Sequence, residues 1–460
     1  MPMTSSPITP VIQTYLDLCT PQMLADSWGL LDAGMRAGHL MFGDRLLSNA
    51  LRPQLVTVDE WKVASQMSKT LVSAFNKAYL AMVSNPALRA QVWLTPEEEE
   101  IIAYEAGTRL PVPIGRLDCA LIHGGDSDSG GPSLHLLEYN AESPAAIAYE
   151  DGLAELFLQT PILKAFQEHY PVYPLWARPA AVQTLLRIYR EWGGRALPRV
   201  AIVDWTGVST HHEFILFQEY FARHGIEALI VDCDDMTYEN GTLYAGGKPV
   251  DFVYKRVLTH ELLERYGTHH PIIDAVRDRA VCMMNRFSCK LLHKKASLAV
   301  LSDERNAHLF TGSELKAIHR HIPWTRRVEP GVTQHDGQAV DLLPFVLANR
   351  ERLVLKPNDE YGGKGVVLGW DTSQGEWDRS VEEALLQPSV VQERVALGTE
   401  LFPIVLPEGG FGIESRFVDF DPFIFDASYA GGCLTRLSSG GLLNVTAGGG
   451  TTVPTMVVAV

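Results

Sequence analysis

Apolar residues recur at helical spacing through Trp61-Lys-Val-Ala-Ser-Gln-Met-Ser-Lys-Thr-Leu-Val-Ser-Ala-Phe75 and on through Ala78, Leu80 and Met82, which predicts one long amphipathic helix. Thr95-Pro96 ahead of Glu97 to Glu100 predicts a helix start: a hydroxyl N-cap, proline at the first helical position, and acids against the positive end of the helix. Residues 1–100 thus read as mainly helical. From about Pro113 the pattern changes to strands, at 115–122 and 134–139, around a Gly/Ser/Asp turn at 124–131.

Apolar runs then alternate with helical patterns. Pro179 opens a helix, 199–204 is a short apolar strand, 211–224 a helix, and 226–232 and 251–256 two more strands. Such alternation predicts a parallel sheet presenting Asp204, Asp232, Lys255 and Arg256 at strand C-terminal ends, as pocket residues or simply as polar strand ends. Beyond residue 285 the pattern is mixed. Helices at 313–320 and 342–350 precede a strand-loop-strand at 353–368, a strand at 390–395, strands within 412–425, and a glycine-rich close at 442–451. No internal repeat is visible.

A length of 460 residues predicts more than one packed lobe, and 46% hydrophobic with 20% charged residues marks a globular chain. The net charge of −16 excludes the basic footprint of a non-specific nucleic-acid binder. It suits a cationic partner such as a polyamine, and solubility explains it equally. The six cysteines are scattered without C-x-x-C spacing, as in a reduced cytosolic protein without a zinc or redox motif. No leader pattern and no apolar stretch of membrane-spanning length is visible, so the expectation is a soluble, cytoplasmic protein.

Three segments offer chemistry. A strand ending in Lys356, the glycines Gly362, Gly363 and Gly365, and a returning strand form a hairpin whose backbone N–H groups suit a polyphosphate. Lys356 and Lys364 would add point charges; the same residues also suit a plain turn. The G-x-x-x-x-G-K-[ST] pattern is absent. Gln392-Glu393 interrupts an apolar strand and needs partners, which an adenine amino group or an edge position in solvent would supply. Asp118, Glu138 and Asn140 carry the hard oxygens that Mg²⁺ prefers. Alternation places Glu138 with Asn140, and Arg116 with Asp118, on common faces. Arg116 reads as a stabiliser of developing negative charge or as half of an ordinary ion pair. The histidines His211, His212, His269, His270, His319 and His321 lack chelating spacing, and no G-x-S-x-G elbow occurs.

The joint order of Gly115-Arg-Leu-Asp118, Glu138-Tyr-Asn-Ala-Glu-Ser-Pro144, Lys294-Lys295-Ala-Ser-Leu298, Val354-Leu-Lys-Pro357 with its glycine loop, and Val391-Gln-Glu-Arg-Val395 resembles the circularly permuted ATP-grasp family. The likeness is to the synthetase domain of glutathionylspermidine synthase-like proteins and covers residues 100–460. It implies an α/β (α+β mixed) fold in which a circularly permuted ATP-grasp core carries a Rossmann-like pre-ATP-grasp domain and a helical N-terminal region. The implied division is 1–100 helical, 101–170 the metal-binding portion of the core, 171–284 Rossmann-like, and 285–460 the ATP-binding portion.

The resemblance implies ATP and two Mg²⁺ ions as cofactors. Asp118, Glu138 and Asn140 would be the metal ligands, and Arg116 the catalytic residue near the reacting carboxylate. Lys295 and Lys356 would hold the phosphates, Lys295 being preferred over Lys294 because Ala-Ser-Leu follows it. Gly362, Gly363, Lys364 and Gly365 would form the covering loop, and Gln392, Glu393 and Val395 the adenine site. Glu142 stands where the family commonly has Asp, a charge-preserving change of small consequence. No cysteine-histidine amidase part precedes the synthetase motifs, so the expectation is synthetase chemistry alone. The implied activity is an ATP-dependent carboxylate–amine ligase that forms an amide or peptide bond through an acyl phosphate and releases ADP and phosphate. Its partners would be a small-molecule carboxylate and an amine, with no nucleic acid or membrane. A catalytically inactive ATP-binding scaffold and an ATP-dependent small-molecule kinase are the rivals. The helical first hundred residues would cover the substrate pocket or build a homodimer.

Overall fold

The strand Gly450–Val458 joins three distant parts of the chain: it pairs antiparallel with Tyr429–Ser438, parallel with Gln54–Thr57 and antiparallel with Val172–Pro174. It belongs to a nine-stranded sheet whose main path runs Thr399–Val405, Phe411–Val418, Tyr429–Ser438, Asp421–Phe425, Ile114–Ile122, Ser133–Asn140. This computed structural model describes residues 7–122, 133–440 and 450–460. The expected turn at 124–131 and most of the glycine-rich close at 442–451 lie outside the described residues.

Alternation along the strands gives the sheet two buried faces. Phe423 and Phe425 enter one core with the helix Ile147–Phe157, while Ile424 enters the other with the long helix Val58–Ser84. That long helix is the expected one. It opens on a Thr57/Glu60 capping box, and Pro96–Ala103 opens on the equivalent Thr95/Glu98 pair. Gln54–Thr57 is a strand within this mainly helical region. It is too short to show a period, and its pairing with Gly450–Val458 makes it a strand.

The alternating block forms a four-stranded sheet in the order Cys282–Met284, Phe252–Lys255, Val200–Asp204, Ala228–Asp232, every pair parallel. Val200 and Ile202 face a core with the helices Arg178–Trp192 and His211–Arg223, and Ala201 and Val203 one with Thr259–Tyr266 and Pro271–Arg277. A third, antiparallel sheet runs Thr325–Arg327, Ser389–Glu393, Leu353–Pro357, Val367–Leu368, with Trp377 of the helix Gln374–Leu386 in its core. The protein is therefore mixed α/β with several sheets. Its six cysteines are free, five of them buried, and among the described residues no helix is long and apolar enough to cross a membrane.

Candidate functional site

Between Ile114–Ile122 and Ser133–Asn140, Arg116 faces Asn140 and Asp118 faces Glu138; the register then slips, and Cys119 faces Leu136. Leu137 is the extra residue of a bulge. Two backbone groups beside it bond outside the strand pair. The Leu137 carbonyl accepts from Lys356 Nζ at 3.1 Å, and the Cys119 N–H donates to Asp421 Oδ1 at 3.0 Å. Gly115 leaves room for Tyr139, since a Cβ there would meet the ring at 2.7 Å.

Arg116 donates to Asp118 at 2.7 and 3.1 Å and to the Ala145 carbonyl at 2.9 Å. From Tyr429–Ser438, Arg436 reaches Asp118 at 2.7 Å, Asp419 at 2.5 Å and Asp421 at 2.9 Å. Three buried carboxylates thus share two guanidinium groups. Burial pushes every one of these carboxyls up, but Arg116 and Arg436 outweigh it at Asp118, which falls to about 2. At Asp421 burial, with Asp118 and Asp419 close by, prevails over the arginines, so this carboxyl lies well above the usual range. Asp419, Asp421 and Arg436 were not singled out from the sequence. The alternation in Asp419-Phe-Asp421 is the available signal, and by itself it predicts only a strand.

On the facing side, Lys295 donates to Glu138 at 3.0 Å and to the Glu360 carbonyl at 2.5 Å. Lys295 outweighs the upward push of burial on Glu138 and keeps that carboxyl below its usual value. Lys356 donates to Gln392 Oε1 at 2.6 Å, and Gln392 Nε2 to Thr325 Oγ1 at 3.0 Å. The Gln392 side chain is thus occupied inside the protein, and Glu393 pairs with Arg352 at 2.7 Å.

These elements enclose one cavity of about 620 Å³. Arg116, Asp118, Glu138 and Asn140 line it from one side; Lys295, Lys356, Gly362, Gly363, Lys364, Gln392, Glu393 and Val395 line it from the other. Gly365 does not line it. At φ +70°, with its Cβ direction 2.7 Å from Pro357 Cγ, it makes the turn that seats the loop. Lys294 faces away, toward Glu98 at 2.9 Å and Asp359 at 3.0 Å. Asp204, raised to about 6 by burial, and Arg256 also line it. Asp232 instead accepts the Thr206 and Asp234 N–H groups.

Lys255 is buried on Glu142 at 2.8 Å, so the negative charge that Glu142 keeps is in use here. Its carboxylate also accepts the Thr259 N–H at 2.7 Å and the Thr259 hydroxyl, and lies 3.4 Å from Lys290. Lys255 and Lys290 overcome the effect of burial and hold this group far below the usual carboxylate range.

The donors available to a hard divalent cation are Asp118, Glu138 and the Asn140 amide. Among the described residues no three His, Cys, Asp or Glu side chains are arranged as a metal site by themselves. Among the described residues Asn140 Nδ2 has no hydrogen-bond partner, so none of them pins that end of the amide against turning its oxygen toward a cation. Asp118 would have to share its oxygens with the two arginines. The set fits Mg²⁺ on those terms.

No protein-family model matches the sequence, and no curated protein is similar to it in sequence. Among solved structures, the chain is similar to a glutathione synthetase-like effector from Globodera pallida in its apo form, with a TM-score of 0.61 over 95% of this chain and 97% of that one. The fold is glutathione synthetase-like. Identity is 12%, so the likeness is one of fold alone, and the chemistry has to be argued from this chain's own residues.

Proposed function

We propose that the protein is an ATP-dependent carboxylate–amine ligase with a circularly permuted ATP-grasp core. The observation that carries this reading is a cavity lined by hard oxygen donors with an arginine on one side, and by Lys295 and Lys356 under a glycine hairpin on the other. The donor strands precede the hairpin in sequence, which is the permuted order. In this reading the triphosphate lies between Lys295, Lys356 and the hairpin, with the base toward Glu393–Val395. Asp118, Glu138 and Asn140 would hold Mg²⁺, which supplies neutralisation of polyphosphate charge when bound.

The chain's own groups then do the positioning. Lys295 and Lys356 fix the phosphates, and the loop excludes water from the acyl phosphate formed when the γ-phosphoryl passes to a substrate carboxylate. Arg116, held rigid by Asp118 and Ala145, stabilises the negative charge that develops as the amine attacks and phosphate leaves. Six free cysteines support a reducing, cytoplasmic setting.

A binder without transfer chemistry is the second reading, favoured by one observation: both Asp118 oxygens already face guanidinium groups. ADP release from Mg·ATP, measured against a panel of carboxylates with and without amines, separates the readings. The ligase releases ADP only when an acid is present and yields an amide. A binder releases none, and a kinase leaves the phosphate on the product.

A further inference from the structure

Lys290, Lys294 and Lys295 all reach the first residues of the glycine loop, and they hold it by contacts of two kinds. Lys295 lines the cavity, and its bonds to Glu138 Oε1 and the Glu360 carbonyl are the ones a phosphate would compete for. Lys290 and Lys294 do not line it. Lys290 Nζ lies 2.5 Å from Asp359 Oδ1, and Lys294 Nζ 3.0 Å from Asp359 Oδ2. Both lysines are themselves fixed, Lys290 by Glu142 at 3.4 Å and Lys294 by Glu98 at 2.9 Å. Glu142 lies two residues past the strand Ser133–Asn140, and Glu98 is in the first turn of the helix Pro96–Ala103.

We propose that Asp359 is a positioning residue that keeps the glycine hairpin seated over nucleotide while Lys295 exchanges Glu138 and Glu360 for phosphate; this rests on the reading of the cavity as a Mg·ATP site. Beyond Asp359 the ion pair within the loop is a weak one. The Lys364–Glu360 pair is exposed, with 75% of the lysine side chain in solvent, and such pairs contribute little. The pairs at Asp359 are largely withdrawn from water, where an ion pair is screened least and where removing one partner strands the others. Burial alone would raise the Asp359 carboxyl, yet Lys290 and Lys294 bring it down to about 2, so the anchor stays charged at neutral pH. Asn358 adds rigidity on the other side, accepting the Ala296 N–H at 2.9 Å and donating to the Val92 carbonyl at 3.0 Å.

The test compares wild type with Asp359→Asn, Asp359→Glu and Lys294→Met. It reads the Mg·ATP dissociation constant by calorimetry, tryptic cleavage after Lys364 with and without Mg·ATP, and the melting temperature without nucleotide. Asp359→Asn is expected to weaken Mg·ATP binding about tenfold and to abolish nucleotide protection of Lys364, with both recovered in Asp359→Glu. Lys294→Met, which leaves Lys290 in place, is expected to weaken binding by about threefold and decides the matter if Asp359→Asn does not fold. Variants that lose only melting temperature, with affinity and protection as in wild type, overturn the anchor and leave the nucleotide site standing. A wild-type protein that does not bind Mg·ATP overturns the nucleotide reading, and this inference with it.

Discussion

Lys356 Nζ lies 3.1 Å from the Leu137 carbonyl, 219 positions away in sequence, and so ties the strand below the glycine loop to the bulge in the carboxylate hairpin. Burial lowers this lysine to about 8, with Glu138 pulling the other way and Lys295 adding to the depression. Its charge therefore depends on what occupies the cavity.

Nucleotide affinity is predicted to be pH-dependent for that reason. Above about 8 the free protein loses the Lys356 proton, and a triphosphate restores it by favouring the ammonium form. Mg·ATP affinity should be level below that pH and fall as pH rises toward the ordinary lysine value, by up to about tenfold per unit. Calorimetry at pH 9 in buffers of different ionisation enthalpy should show proton uptake. Lys356→Met should remove both the uptake and the slope.

Arg116→Ala is predicted to cost turnover about two to three orders of magnitude while Mg·ATP binding changes little. The same change leaves Asp118 with Arg436 as its remaining guanidinium partner, and should cost about 3 kcal/mol of stability. Arg116→Lys separates the two effects. It keeps the charge beside Asp118 but not the fork, so stability should recover while turnover does not. Turnover as in wild type for either variant would remove Arg116 from the mechanism.

Glu142→Gln is predicted to destabilise the protein by about 3–5 kcal/mol at neutral pH, because Lys255 and Lys290 would face an uncharged amide with no exposure to water. The sign with pH follows from the depressed carboxyl. Its contribution is present above the unfolded-state value and is lost as pH falls through the folded one. Urea titrations should therefore show a deficit that is largest near neutrality and narrows in acid. A deficit constant with pH would mean the charge is not what matters.

How much of this was legible in the sequence depended on range. Motifs within one strand or one loop were readable: the facing of Arg116 with Asp118, the hairpin after Lys356, the capped helix at Thr95, and the parallel block all follow from local period and punctuation. Partners set by sheet pairing were not. Arg436 reaches Asp118 only because Asp421–Phe425 pairs with Ile114–Ile122, and nothing near Arg436 in sequence signals that. The partners of Glu142 were hidden for the same reason, since its lysines lie on other elements. Lys294 and Lys295 are adjacent yet serve different groups, a distinction that backbone direction makes and composition cannot.

Gly365→Ala is predicted to weaken Mg·ATP binding about tenfold with a smaller effect on melting temperature. An alanine at φ +70° costs about 1–2 kcal/mol, and its Cβ would stand 2.7 Å from Pro357 Cγ, both within the loop rather than the core. Gly375→Ala is the control. It lies in the helix Gln374–Leu386 with open space at its Cβ direction, and should leave binding unchanged and stability equal or higher.

The most direct test is a crystal structure with Mg²⁺ and a non-hydrolysable ATP analogue. The account predicts the triphosphate under the Gly362–Gly363 turn, within contact of Lys295 and Lys356, with the ion bridging it to Glu138 and Asn140. An analogue bound elsewhere, or a triphosphate in the cavity that leaves Glu138 and Asn140 without any link to its metal, would contradict it.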